Sequence, residues 1–493
     1  NFPRLHSCLF VYLYYIIHFH PCQSMEFPSA IFKAYDIRGI AGESVTVALA
    51  EHLGAIFANF LKSEVNTSRP LRLVVGRDMR LSSPALHEAV IKGMCGEGVT
   101  VIDVGLVSTP TFYFAVTHLG ADGGIVVSAS HNPQEWNGFK LVRANAAPVS
   151  GDTGIYRIRD LCQDVIATKQ SNPVIPDAPG DPESSKSIEK IDDILNIETD
   201  WVLSQTDISQ LPKLKIVADA ANAMGAQYLE ALFEKIPCEL VRMNFELDGT
   251  FPAHEADPLK DENVRDVQAR VVAEKADFGI ATDGDGDRIF FFDETGARVE
   301  PAIVRALLAE NILRLHPGAK ICYDIRPGRI TPERITAAGG VPIVTRVGHS
   351  LIKEHAIREG AKFAGESSGH MFFWYKEGLF EIPMLSVVKM LEEIGRFGGK
   401  VSEMATPYRT YAHSGEINFV VHDTKAVLDA LADTYHDACL SWLDGLTIEY
   451  PDWWANVRAS NTEPKVRLAV EGKNQELVTE KVADISTCIN RFL

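Results

Sequence analysis

Residues 71–104 read LRLVVGRDMRLSSPALHEAVIKGMCGEGVTVIDV, and three patterns follow one another inside that stretch. Residues 71–75 (LRLVV) form a short apolar run of strand type. Residues 84–94 carry apolar side chains at helical spacing, with Ser82 and Ser83 as N-cap candidates. Residues 99–104 (VTVIDV) are a second strand, and residues 124–128 (GIVVS) a third. Strand, helix and strand in that order predict α/β layers around a buried sheet. The pattern restarts at residues 214–219 (LKIVAD) and again at 320–325 (KICYDI).

Residues 171–186 (SNPVIPDAPGDPESSK) contain four prolines and few large apolar side chains, so they read as a linker or surface loop. Turn residues after Phe291 (DETGARVEP) and the segment 408–413 mark two further junctions, the second expected to hinge. The expected organisation is α/β. Three similar α/β domains (25–180, 181–297 and 298–408) precede a smaller α+β domain (409–493).

Lys plus Arg number 48 against 66 Asp plus Glu, a formal charge of −18 in 493 residues. Such a chain is a poor general binder of nucleic acid or of an anionic membrane. An anionic small molecule must be met by cations gathered in one pocket. The eight cysteines are dispersed with no C-x-x-C pair, so they read as buried thiols of a reduced, cytoplasmic protein. At the amino terminus, LFVYLYYII (9–17) is too short for a bilayer span of about 20 residues. Arg4 before it allows a signal peptide, but a small-residue cleavage site is unclear. Residues 1–24 are therefore taken as a non-native or upstream extension, with Met25 as the functional start.

Four loops are candidates for chemistry, and for the first, third and fourth of them, each taken alone, an ordinary polar turn is the alternative. In VSASHNPQEWNGFKL (127–141), Ser130 is a candidate phosphoryl carrier beside His131 and Lys140, just beyond a strand end. In DGDGDR (283–288), Asp283, Asp285 and Asp287 repel one another unless a cation sits among them. Gly284 and Gly286 let that loop curl around it. A divalent metal, Mg²⁺ for a phosphate partner, is the favoured reading. A solvated acidic turn and an EF-hand closed by Glu294 at the twelfth position are the alternatives. Against the EF-hand, Arg288 stands where glycine is needed and a strand follows. In GESSGH (365–370), Glu366 and Ser368 suit adjacent sugar hydroxyls. In RASNTEP (458–464), Arg458, Ser460, Asn461 and Thr462 form a phosphate cradle.

These loops, in order and type, resemble the signature loops of the α-D-phosphohexomutase superfamily, nearest its phosphomannomutase/phosphoglucomutase group. KAYDIRG (33–39) adds a fifth motif, and the resemblance runs from about Phe27 to the C-terminus. It implies four domains around a central cleft, three α/β domains with mixed sheets and a smaller α+β domain, and the residue roles that follow. Ser130 is the phosphoserine and, with Asp283, Asp285 and Asp287, a ligand of Mg²⁺. Glu366 and Ser368 grip the O3 and O4 hydroxyls of the sugar. Arg458, Ser460, Asn461 and Thr462 hold the phosphate that does not react. Tyr35, Arg38, His131, Lys140, Arg288, His349 and His370 line the cleft. Arg326 stands where many relatives carry Lys, and Ser367 occupies a variable position.

The implied reaction interconverts hexose 1-phosphate and hexose 6-phosphate of mannose or glucose, through phosphoserine and a bound hexose 1,6-bisphosphate that turns over in the cleft. Lys140 is the favoured group to manage the hydroxyl proton, ahead of Arg38 and His349. O3 and O4 recognition does not read C2, so both epimers fit. The glucosamine-phosphate group usually shows R-P-S-G-T-E-P in the fourth loop, where Ala459 and Asn461 stand here. A phosphoglucosamine mutase and a catalytically silent sugar-phosphate binder are the rival functions. No nucleic acid or membrane partner is expected, and the chain is expected to be a monomer or dimer.

Overall fold

The computed structural model describes residues 27–171, 188–326, 328–459 and 465–492. The extension 1–24, most of the linker, and Ser460, Asn461 and Thr462 lie outside the described residues. The first sheet holds β1 (Ile37–Ile40), β2 (Arg72–Arg77), β3 (Thr100–Leu106), β4 (Gly123–Val127), β5 (Trp136–Arg143) and β6 (Ile188–Lys190), in the order β1-β5-β4-β2-β3-β6. The second holds β7 (Lys215–Asp219), β8 (Glu239–Met243), β9 (Phe278–Thr282), β10 (Ile289–Asp293) and β11 (Arg298–Val299), in the order β11-β10-β9-β7-β8. The third holds β12 (Lys320–Asp324), β13 (Val341–Thr345), β14 (Phe363–Gly365), β15 (Met371–Tyr375) and β16 (Gly378–Glu381), in the order β13-β12-β14-β15-β16. The fourth holds β17 (Ala412–Val420), β18 (Cys439–Ser441), β19 (Leu446–Glu449), β20 (Trp453–Ala459) and β21 (Lys465–Gly472), in the order β17-β21-β20-β19-β18.

Each of the first three sheets joins a parallel portion to an antiparallel hairpin: β4–β5, β9–β10 and β14–β15. The fourth sheet is antiparallel throughout. The four loops of the sequence analysis all fall between the two strands of a hairpin, after β4, β9, β14 and β20. A strand end followed by a tight return leaves loop N–H groups and side chains at the sheet's rim, free for a ligand.

Arg458, expected in the fourth loop, lies on β20, and two further expectations about local structure need correction. The first loop ends at Glu135, because residues 136–143 form β5, paired antiparallel to β4 with Val126 opposite Lys140. Lys140 is thus a strand residue. Its neighbours Phe139 and Leu141 are buried as well, so β5 lacks the alternation that marks a strand with one wet face. Ser82 precedes the helix Ser83–Gly96 in αR geometry and makes no cap bond. Ser83 donates to Asp78 instead, at 2.5 Å.

One apolar cluster runs through the first three domains, from Phe112 and Tyr113 through Leu229 and Leu232 to Leu307 and Phe380. The fourth domain has its own, around Val457, Leu468 and Ile485. The junction at Tyr408 is packed: its hydroxyl donates to Glu310 at 2.9 Å, and Arg334 lies 4.4 Å from its ring centre. Of the described thiols, Cys162, Cys322 and Cys488 are buried, Cys95 and Cys238 half-buried. Cys439 is exposed on the edge strand β18, which corrects the uniform burial expected.

Glu198, on the helix Ile194–Ser204, is 1% exposed, and burial pushes its carboxyl up to about 8. An unfolded glutamate titrates near 4.5. Between those two values the unfolded chain has released a proton that the folded chain keeps. Stability therefore falls as pH rises through this window, by about 1.4 kcal/mol per pH unit. Glu198→Gln is expected to flatten that slope, read from urea midpoints at about pH 5.5 and pH 8.5. Parallel losses in parent and variant would clear Glu198 of the effect.

Candidate active site

Ser130 is 1% exposed and has φ 51°, a left-handed conformation that costs energy for a non-glycine residue. Three contacts hold it there. Its N–H donates to Ser128 Oγ at 2.9 Å, its Oγ donates to Asp283 Oδ2 at 3.1 Å, and its carbonyl accepts from Arg80 at 2.7 Å. His131 Nδ1 lies 3.2 Å from the Ser130 Oγ.

Arg80 was not foreseen. Its guanidinium is fully buried and donates to four carbonyls of the serine loop: Ser130 (2.7 Å), Asn132 (2.6 Å), Pro133 (2.7 Å) and Trp136 (3.0 Å). Asp78, 3.2 Å away and 1% exposed, balances its charge. Only a planar fork with five donors can staple a loop in this way. Its place in GRDMR, between β2 and the following helix, is the signal that could have found it.

Asp283, Asp285 and Asp287 are all fully buried, and one oxygen from each lies within 4.8 Å of the other two. The loop approaches the serine so closely that a Cβ on Gly284 would stand 2.3 Å from the Ser130 carbonyl oxygen. Gly286 has φ 74°, which supplies the curl. The first domain supports this loop of the second: Thr109, opening the buried helix Thr109–His118, donates its N–H to the Asp285 carbonyl (3.0 Å) and its hydroxyl to Asp285 Oδ2 (2.7 Å). Lys140 Nζ donates to Asp285 Oδ2 at 2.6 Å and also to Asp287 Oδ2.

Burial, with Asp287 and Asp285 alongside, pushes the Asp283 carboxyl up to about 8. Burial would raise Asp287 too, but Lys140 and His370 hold it below the usual carboxylate range. Lys140 keeps its proton well above the usual lysine range: burial opposes this, and Asp285 and Asp287 outweigh it. Asp285 Oδ1 and Asp287 Oδ1 are buried without a hydrogen-bond partner. Clustered carboxylates, two orphaned oxygens and a hydroxyl on the third fit a hard divalent cation. The EF-hand alternative falls, because Glu294 accepts from Ser402 N at 3.1 Å instead of turning to the loop, and 289–293 is β10.

The other cleft residues gather around this centre. Arg38, on β1, donates to Asp36 (2.7 Å), Asn132 Oδ1 (2.7 Å) and the Ala129 carbonyl (3.2 Å), bracing the serine loop from the other side. Burial would lower its pKa, but Asp36 raises it overall, so Arg38 stays charged. Arg288 donates from Nε to His370 Nε2 at 3.1 Å and from its backbone N–H to Asp283 at 3.1 Å. His349 stacks on His370 at 5.6 Å between ring centres; among the described residues neither of its ring nitrogens has a hydrogen bond, and Nδ1 lies 3.9 Å from Glu381 Oε1. Burial, with Lys140 and Lys353, holds His349 well below the usual histidine value, so it is neutral at pH 7. Burial, with Arg288 and Arg38, does the same to His131. Behind the histidines sits a buried pair the sequence did not reveal, Lys353 donating to Glu381 at 3.1 Å. Glu381 lies 3.4 Å from His370 Nδ1.

In the third hairpin, Glu366 (2% exposed) accepts from Gly348 N at 2.7 Å and from Ser368 Oγ at 3.0 Å. Tyr35 reaches across from the first domain to donate to the Val347 carbonyl at 3.2 Å. Ser367 is structural: its hydroxyl and N–H donate to Asp324 at 2.9 and 3.1 Å. Asp324 also takes Arg326 Nε at 2.9 Å and the buried Arg305.

At the fourth domain, Arg458 pairs with Glu416, Arg467 donates to Glu416 at 3.1 Å, and Arg326 lies 4.0 Å from it. Three guanidinium groups around one carboxylate leave positive charge to spare. Among the described residues Arg458 Nη1 is buried without a hydrogen-bond partner, which suits an anion. Arg467 and Glu416 were not foreseen. Arg467 stands opposite Arg458 on the neighbouring strand, a pairing that requires the sheet register.

Four family profiles match the chain in order. They are described as phosphoglucomutase/phosphomannomutase alpha/beta/alpha domain I (residues 29–165), domain II (167–296), domain III (301–411) and the C-terminal domain (416–487). The chain is 36% identical over 474 residues to a phosphomannomutase of Vibrio cholerae, covering 94% of this chain and 98% of that one. It is 33% identical over 457 residues to a phosphomannomutase/phosphoglucomutase of Pseudomonas aeruginosa, covering 91% and 93%. Its structure is similar to the crystal structure of a phosphoglucomutase/phosphomannomutase family protein from Burkholderia thailandensis, with TM-score 0.80, 31% identity and coverage of 94% and 97%. Among the described residues no helix is long and apolar enough to cross a membrane. With all four domains matched in order and more than nine-tenths of the chain aligned to such relatives, the chain belongs to the phosphoglucomutase/phosphomannomutase family of phosphohexomutase enzymes.

Proposed function

We propose that the chain interconverts hexose 1-phosphate and hexose 6-phosphate, of mannose and glucose, with Ser130 as the phosphoryl carrier and a hexose 1,6-bisphosphate held in the cleft between two transfers. The observation that carries this reading is Ser130 in a strained left-handed conformation with its Oγ 3.1 Å from one of three buried aspartates.

In the first transfer the bond from phosphorus to Ser130 Oγ breaks, a bond from phosphorus to the sugar O6 forms, and the O6 proton leaves. After the intermediate turns, the bond from phosphorus to O1 breaks, the Ser130 ester reforms, and O1 regains a proton. Mg²⁺ held by Asp283, Asp285, Asp287 and the serine's phosphate would polarise the phosphoryl group as a Lewis acid. Arg38 and Arg80 hold the serine loop in place, and Arg288 supplies positive charge beside it. Positioning and charge stabilisation supply most of the rate in phosphoryl transfer. Glu366 and Ser368 take adjacent sugar hydroxyls, and Arg458, Arg467 and Arg326 take the idle phosphate.

The proton is assigned to His349, a revision of the expectation for Lys140. The Lys140 ammonium is engaged by two carboxylates and serves as fixed charge. His349 is neutral, and among the described residues neither nitrogen is committed to a hydrogen bond, as a general base requires.

The test is turnover of glucose 1-phosphate, mannose 1-phosphate and glucosamine 1-phosphate with Mg²⁺ and a trace of glucose 1,6-bisphosphate. Conversion of the first two is expected, and their ratio names the preferred epimer. Conversion of the glucosamine ester alone would move the enzyme to the neighbouring substrate group. No conversion of any ester would support a silent binder.

A further inference from the structure

The peptide groups of Val347 and Gly348 are held from three sides. The Val347 carbonyl accepts from Tyr35 of the first domain at 3.2 Å. The Gly348 N–H donates to Glu366, the sugar-gripping carboxylate of the third domain, at 2.7 Å. The Val347 N–H donates to Asp444 Oδ2 of the fourth domain at 2.9 Å. Asp444 sits on the turn between β18 and β19, and that turn is built to hold it. The buried Asn456 donates to the Asp444 carbonyl at 2.8 Å and to Thr447 at 3.1 Å. Gly445 follows with φ 68°, and a Cβ there would stand 2.6 Å from Arg458 Cα. The turn is therefore rigid, lies against the strand that carries Arg458, and reaches the third domain through one carboxylate.

The fourth domain's apolar core is separate from the cluster shared by the other three. Its seating on them rests on polar ties of this kind. Arg329 reaches it at a second place, donating to the Pro451 carbonyl at 2.6 Å and the Trp453 carbonyl at 3.1 Å, far from Glu366 in the hydrogen-bond network. Asp444 alone among these ties touches the residue next to the one that orients Glu366.

We propose that Asp444 is a positioning residue, coupling the seating of the fourth domain to the orientation of Glu366 through the Val347–Gly348 backbone. Substrate phosphate on the Arg458 loop then favours the sugar grip, and an occupied sugar grip favours a seated fourth domain. Coupling through a shared rigid segment works in both directions. The proposal rests on the mutase reading and adds to it how the phosphate and sugar subsites act together.

Steady-state kinetics on hexose 1-phosphate test it, with Asp444→Ala and Asp444→Asn beside the parent. The alanine removes the acceptor for Val347 N–H, and the asparagine keeps one while removing the charge. KM is expected to rise about tenfold in D444A with kcat within about threefold, while D444N stays within about threefold of the parent in both. A D444A enzyme with the parent's KM would overturn the proposal. So would a D444N enzyme as impaired as D444A, because Asp444 would then act by its charge near Arg458. A parent chain with no turnover strikes the mutase reading and not the tie, which is then read from the same tenfold change in calorimetric binding of hexose 1-phosphate.

Discussion

Ser130→Ala is expected to lower kcat by about 10⁴-fold or more, with the fold retained. The reasons are chemical and local. Alanine has no oxygen to carry phosphoryl, and the neighbouring Thr109 hydroxyl is turned to Asp285 and committed there at 2.7 Å. The variant loses the Oγ contacts to Asp283 and His131 and no apolar packing, so its melting temperature stays near the parent's. Two readouts separate chemistry from damage. Turnover of glucose 1-phosphate vanishes, and intact-mass analysis after incubation with glucose 1,6-bisphosphate shows phosphate on the parent and none on the variant. Residual turnover within tenfold of the parent would place the carrier elsewhere.

Arg80→Met is the second large effect, and it acts without touching the reacting atoms. Methionine fills much of the buried volume but donates nothing. Four carbonyls of the serine loop lose their partner, and Asp78 remains as a buried, unbalanced carboxylate. Breaking a buried pair in this way costs about 3–5 kcal/mol. The left-handed turn at Ser130 then relaxes, and a displacement of about 1 Å at the nucleophile costs about 10²-fold in rate. Kinetics therefore show kcat down by about 10²–10³-fold, and urea unfolding shows the stability loss. Arg80→Lys should recover little, because a point ammonium cannot reach four carbonyls in a plane. Full activity in R80M would show that the loop holds its shape unaided.

Legibility in the sequence followed physical range. Asp283, Asp285 and Asp287 were readable because three carboxylates and two glycines within six residues make a local electrostatic statement that only a cation satisfies. Ser130 and Glu366 were readable as loop residues after strands, Arg458 was read as a loop residue but lies on β20, and the order of the loops carried the resemblance. Arg467 and Glu416 were not readable, because they meet Arg458 only when β20, β21 and β17 pair in register. Arg80 looked like one arginine among many until its loop folded under the serine. Lys140 looked like a loop base because residues 136–143 are buried on both faces of the sheet and so lack a strand's alternation. The structure places it on β5 with its ammonium between two aspartates.

By itself the sequence determined the alternation of strand and helix, the restarts that divide the chain, and the residue types at each loop. These depend on side-chain periodicity and on chemistry confined to a few neighbouring residues. Tertiary structure alone decided that all four loops are hairpin returns, that Gly284 presses on the Ser130 carbonyl, and that Thr109 of one domain holds Asp285 of another. It also decided that the lysine expected to move a proton is engaged by two carboxylates, while His349 is neutral and, among the described residues, makes no hydrogen bond. Charges and hydrogen-bond donors act over a few ångströms. What they do is set by which distant segments the fold brings within that range, a relation that spacing along the chain does not carry.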